Sequence, residues 1–221
     1  MVSNNKVIKF NAIQSLPYID LAIDLSQFVC CRKNLQNKKL IGRIETGKFA
    51  GYDCGNISLR LGNCDGNHNS CFVISGSQTS SKREFNSSDV ALIEEYDSGS
   101  FSVKYSGTAI PSSETPLHGS SYKADPRIGA IIHAHIFESS PFYEQCQSFF
   151  LRHGLPLTYC PSKTAEIGEE IISLIREKGH GDIIGMLNHD GGFGLLSFGE
   201  NLGNAYSKLI AFYNQMKKAV S

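Results

Sequence analysis

The chain carries no surplus of charge: 21 Lys and Arg balance 21 Asp and Glu. A protein that coats nucleic acid or an anionic membrane needs a basic excess, so neither partner is expected. No apolar run reaches the roughly 20 residues that span a bilayer. The opening stretch, MVSNNKVIKFNAIQSLPYID, lacks the charged-then-apolar pattern of a secretory signal. The seven cysteines (30, 31, 54, 64, 71, 146 and 160) include no C-x-x-C pair of the metal-binding type. An odd count without an export pattern implies reduced thiols and a cytoplasmic protein. There is no internal repeat, no long low-complexity tract and no strong boundary, so one domain over residues 1–221 is expected.

What is present suits an ordinary globular domain. Apolar residues make up 41% and charged residues 19% of a chain of 221, enough for a substantial core. After Pro17, the spacing of Tyr18, Leu21, Leu25, Phe28 and Val29 predicts a helix over 18–32, with a polar, basic link from Arg32 to Lys39. Asn56–Leu61 alternates as a strand does, and a polar loop follows from Gly62 to Ser70. Cys71–Ile74 is a short apolar strand that runs into the loop Ser75-Gly76-Ser77-Gln78-Thr79. Residues 89–95 and 101–105 read as strands around a turn at Asp97-Ser98-Gly99. A helix over about 113–123 is stopped by Asp125-Pro126. Ser162 can cap a helix to about Lys178, with Gly179 just past its end. Ile183–Leu187 reads as a buried strand, and Leu202, Ala205, Tyr206, Leu209, Phe212, Tyr213 and Met216 form the stripe of a last helix. Together these give an α/β fold with a mixed central sheet covered by helices.

The sharpest chemical feature is His133-Ala134-His135 inside the apolar run GAIIHAHI. Residues two apart in a strand share a face, so two imidazoles project side by side, as two ligands of one metal must. His189, in MLNHDGG, stands where a short apolar strand meets a glycine-rich loop. Three neutral nitrogen ligands with open positions describe a catalytic rather than a closed metal site. A lone histidine in such a place is ordinarily a hydrogen-bonded core residue; the pair plus the third favours metal.

In PSSETPLH, Ser112 and Ser113 stand at a helix start, where free N–H groups and the dipole attract anions. Glu114 follows them. Plain capping explains a carboxylate there, but Glu114 lies about twenty residues before the two histidines, close enough for the helix to fold it back beside them. Gly55-Asn56 and the SGSQT loop offer small residues and hydroxyls that let a phosphate approach, although such residues are usually turns. His68, His118, His153 and His180 read as structural or surface residues, with His118 a candidate to support the site from behind.

These motifs together resemble the class II aldolase/adducin family. The likeness runs from about residue 18 to 216, on GNIS (55–58), FVISGSQT (72–79), PSSETPLH (111–118), HAH (133–135) and NHDGG (188–192). Residues 1–15 fall outside it as an N-terminal extension. The resemblance implies zinc, or another divalent metal, on His133, His135 and His189. It implies Glu114 as the catalytic carboxylate, and Gly55, Asn56, Ser112 and Ser113 around the phosphate of a sugar-phosphate substrate. The SGSQT loop completes that pocket, either through Ser77 and Gln78 or, shifted, through Ser75 and Gly76. The usual family loop has a proline and a later glycine; this one has Gly76 early and Gln78 later. A metal-dependent lyase forming an enediolate is implied, of the aldolase or dehydratase type. A sugar-phosphate epimerase and a non-catalytic adducin-like module are the alternatives. The resemblance also implies a homotetramer. Tyr143, Tyr159, Tyr206 and Tyr213 are the candidates for a catalytic acid, and Asp190 is an unusual neighbour of His189.

Overall fold

The apolar strands pair into one nine-stranded sheet. A computed structural model describes residues 8–19, 24–63, 70–153, 155–157, 165–179, 183–189 and 192–219. In chain order the elements are β1 (Asn11–Leu16), α1 (Ser26–Asn37), β2 (Gly42–Arg43), β3 (Asp53–Cys54), β4 (Asn56–Asn63), β5 (Ser70–Ser75), β6 (Val90–Asp97) and β7 (Ser102–Ser106). There follow α2 (Thr115–Ala124), β8 (Ala130–Phe137), α3 (Tyr143–His153), β9 (Pro156–Leu157), α4 (Ala165–Lys178), β10 (Ile184–His189), β11 (Gly192–Gly199) and α5 (Leu202–Lys218).

The sheet order is β1-β7-β6-β5-β4-β8-β11-β10-β9, with β2 and β3 pairing apart. Neighbours are antiparallel except β1 with β7 and β10 with β9, which run parallel. Strand alternation sends the two faces of β8 to different cores. Ile132, Ala134 and Ile136 join α1, α3 and α5 through residues such as Phe28, Phe150 and Leu209. Ile131 instead joins Leu117 and Tyr122 of α2 and Ile167, Ile171 and Ile175 of α4. His133 and His135 share Ile131's parity, so they emerge on the α2/α4 face.

The structure corrects three local expectations. The first helix begins at Ser26, whose N–H donates to Asp24 Oδ1 (2.8 Å); Tyr18 is exposed and outside it. The helix buries Phe28, Cys31, Arg32 and Leu35, so its stripe runs through the segment read as a polar link. Asn11–Leu16, for which the sequence suggests no role, forms an edge strand on β7. The glycine-rich segment after His189 becomes β11, buried along its whole length. Residues 64–69, with His68, lie outside the described residues, as do Ser162, His180, Tyr159 and Asp190.

Candidate metal centre

Two registers and one bulge build the histidine cluster. β8 pairs with β4 so that His133 faces Asn56, and with β11 so that His135 faces Gly194. On β10, Met186 pairs with Gly194 but His189 pairs with Gly192, one residue out of step. That extra residue is a β-bulge, and it reverses the face on which later side chains emerge. Without it His189 would follow Leu187 to the α1/α3/α5 side, where Leu187 packs. With it, His189 turns toward His133 and His135.

The three rings meet through their Nε2 atoms. His135 Nε2 is 2.9 Å and His189 Nε2 3.2 Å from His133 Nε2. One ligand atom from each lies within 4.8 Å of the others, and all three residues are buried. His133 Nδ1 lies 3.2 Å from the Leu195 carbonyl. A carbonyl only accepts, so Nδ1 carries the proton and Nε2 presents a lone pair. Burial first, then the neighbouring His135, His189 and His118, holds the His133 pKa well below its ordinary value. The ring is therefore neutral near pH 7, the state a metal requires. Three nitrogens each about 2.0–2.1 Å from one zinc in tetrahedral directions sit about 3.3 Å apart. The donor set and its spacing thus fit one divalent ion.

Glu114 is the N-cap of α2, yet its side chain makes no capping bond. Its Oε1 lies 4.0 Å from His189 Nε2, and the residue is buried. Capping therefore does not account for it; its carboxylate faces the histidines.

The other predicted residues gather beside this centre. Gly55 adopts φ +78, and a Cβ there would stand 2.4 Å from Ile41 Cγ2 and 3.0 Å from the His133 carbonyl oxygen. Asn56 Nδ2 donates to Ser112 Oγ (3.0 Å). The SGSQT loop reaches the same place, because Gly76 bridges to Pro111 and Ser77 N–H donates to the Ile110 carbonyl (2.8 Å). Within that loop the groups divide. Ser75 Oγ accepts from Ile57 N–H (3.1 Å), and Gly76 N–H donates to the Asp89 carbonyl (2.8 Å), so both serve the fold. Ser77 Oγ, by contrast, is buried with no hydrogen-bond partner. Ser113 is half-buried at the turn before Glu114.

Two more residues stand close to the centre, Gly194 without a sequence expectation and His118 as the candidate supporting residue. For Gly194, a Cβ would stand 3.0 Å from His189 Cδ2 and 3.1 Å from His133 Cε1. Its missing side chain makes room for both rings, a role that a glycine inside a buried strand signals. His118 is fully buried beneath the site. Its Nδ1 and the Tyr122 hydroxyl each lie 2.7 Å from Ser58 Oγ. Burial raises the Tyr122 pKa, so the phenol stays protonated. Ser58 Oγ thus links the phenol to the imidazole. Tyr143, Tyr206 and Tyr213 pack against the core on the opposite face, away from the histidines.

The family model for the class II aldolase and adducin N-terminal domain matches residues 43–220. The chain belongs to this family. Solved class II aldolase folds agree. An L-fuculose 1-phosphate aldolase is 21% identical, with 89% of this chain and 85% of that one covered, at TM-score 0.60. The L-fuculose-1-phosphate aldolase of Thermus thermophilus is 18% identical over 88% and 90% of the two chains, TM-score 0.52. The N-terminal class II aldolase domain of a conserved protein from Thermoplasma acidophilum is 16% identical over 92% and 96%, TM-score 0.56. At these identities the likeness is one of fold. Among curated proteins no sequence matches. No helix among the described residues of this class II aldolase domain is long and apolar enough to cross a membrane.

Proposed function

We propose that this chain is a metal-dependent lyase that acts on a small, phosphorylated hydroxy-carbonyl compound. The convergence of three imidazole Nε2 atoms with a buried carboxylate 4.0 Å from one of them carries this reading. His133, His135 and His189 would hold a divalent ion, zinc by ligand type. Such an ion supplies Lewis-acid polarisation of a carbonyl oxygen.

Glu114 moves the proton. Its buried carboxylate stands beside His189 on the N-cap residue of α2, where it can take a proton from carbon next to a carbonyl and return one. The apolar wall from α2 and α4 keeps bulk water from that exchange. Gly55, Asn56, Ser77, Ser112 and Ser113 orient the far end of the substrate by holding its phosphate, beside the N-terminus of α2. Aldol cleavage and dehydration are both open to this arrangement. A homo-oligomer, tetrameric as in the family resemblance, belongs to the same reading.

Incubation of the metal-loaded protein with phosphorylated ketoses, followed by product analysis, tests the proposal. Cleavage fragments or a dehydrated product are expected. Glu114→Gln should retain its metal and lose turnover by about 10²–10⁴-fold. Full turnover in that variant removes Glu114 from the mechanism. Epimers without fragments would establish the epimerase reading instead, and a chain that neither binds metal nor converts any substrate would establish the adducin-like one.

A further inference from the structure

Gln78 has a left-handed backbone, φ +59, which side chains other than glycine adopt only under constraint. Strain of this kind persists where the surroundings enforce it, and it collects at functional sites. Here the side chain itself supplies part of the constraint. Gln78 Oε1 accepts from the Asp53 backbone N–H (3.1 Å). Asp53 lies just before Cys54-Gly55-Asn56, so one loop of the anion pocket grips the backbone of the other. Bonds nearby reinforce the join. Asp53 Oδ2 accepts from both the N–H and the hydroxyl of Ser81, each at 2.8 Å, and the Ser80 hydroxyl donates to the Gly55 carbonyl.

On these two loops, two buried atoms have no hydrogen-bond partner, Ser77 Oγ and Asn56 Oδ1. Asn56 as a whole is 5% exposed. Buried polar atoms left unpaired in a native fold call for a bound ligand or water. Exchanging the amide oxygen and nitrogen of Asn56 keeps a bond to Ser112 and puts the two N–H donors where the unpaired oxygen now stands.

We propose that Gln78 is a positioning residue that sets the separation of the two loops, and so the placement of Ser77 Oγ and Asn56 around a phosphate-like anion. The inference rests on the reading that these loops hold the substrate's phosphate. A glycine at residue 78 would satisfy the backbone but provide no strap.

Calorimetric titration of the metal-loaded protein with inorganic phosphate tests this on wild type, Ser112→Ala, Gln78→Met and Gln78→Gly. Methionine matches the length of glutamine without the acceptor, and glycine also relieves the backbone. Wild type should bind phosphate and Ser112→Ala should bind it more weakly. Both Gln78 variants should bind roughly fivefold more weakly, the factor one net hydrogen bond is worth. The melting temperature of Gln78→Gly should be no lower than wild type, which separates positioning from a purely structural role. No phosphate binding by wild type, or equal affinity in Ser112→Ala, would overturn the pocket reading and this inference with it. Wild-type affinity in both Gln78 variants, with Ser112→Ala weakened, would overturn the inference alone.

Discussion

Acid should find out His118. The ring is fully buried, and burial pushes its pKa from 6.5 down to about 3. A histidine shifted in this direction is neutral in the fold and chargeable in the unfolded chain. Its contribution is complete above its ordinary value near 6.5 and is lost progressively as pH falls toward about 3. Integrating the linkage from pH 8 to pH 5 gives a loss of about 2 kcal/mol from this one group. His118→Asn keeps a polar group for Ser58 and removes the titrating ring. Urea unfolding of both proteins at pH 8, 6.5 and 5, in chelator so that the ligand histidines behave alike, isolates the difference. Wild type should lose about 2 kcal/mol more than the variant, or about 4–8 °C in Tm for a chain of this size. Parallel pH profiles would mean that His118 is hydrated or charged in the fold.

Three substitutions probe other parts of the account. Gly194→Ala would put a methyl 3.0 Å from His189 Cδ2 and 3.1 Å from His133 Cε1; chelator competition should show metal affinity reduced about tenfold, and unchanged affinity would show that the rings have room to spare. Gly55→Ala combines a positive φ of +78 with a contact of 2.4 Å to Ile41 Cγ2, so denaturant unfolding should register a loss of about 2–5 kcal/mol. A loss below about 1 kcal/mol would mean that this turn relaxes freely. Phe150, fully buried with ring centroids 5.1 Å from both Phe193 and Phe212, should cost about 3–5 kcal/mol as Phe150→Ala; a cost typical of a surface site would contradict its place in the core under β10.

Much of the fold was legible because hydrophobic period and strand length agree with the final packing. β4, β5, β8, α2 and α5 emerge close to where alternation and helical spacing put them. α1 was displaced because Tyr18 imitates its stripe, while Arg32, which continues that stripe, looks like a surface residue. Its guanidinium is buried over the Phe85 ring, 3.9 Å from the centroid, a tertiary arrangement that spacing does not encode. β11 was hidden by Gly192 and Gly194, read as loop residues; both are glycines for lack of space, against the Ile136 carbonyl and the histidine rings. At the site, the H-x-H spacing foretold two neighbouring imidazoles. The bulge that turns His189 toward them is a matter of register between two strands and leaves no mark in either alone. The partners within SGSQT are likewise tertiary: Ser75 Oγ and Gly76 N–H bond to Ile57 and Asp89, and Ser77 Oγ is buried without a partner.

The central claim is that three histidines form a metal site. Elemental analysis of metal per chain, in wild type and in His135→Ala purified side by side, tests it most directly. About one divalent ion per wild-type chain, zinc by ligand type, and its loss in the variant is the predicted result. No bound metal in either protein, even after zinc is added back, would contradict it.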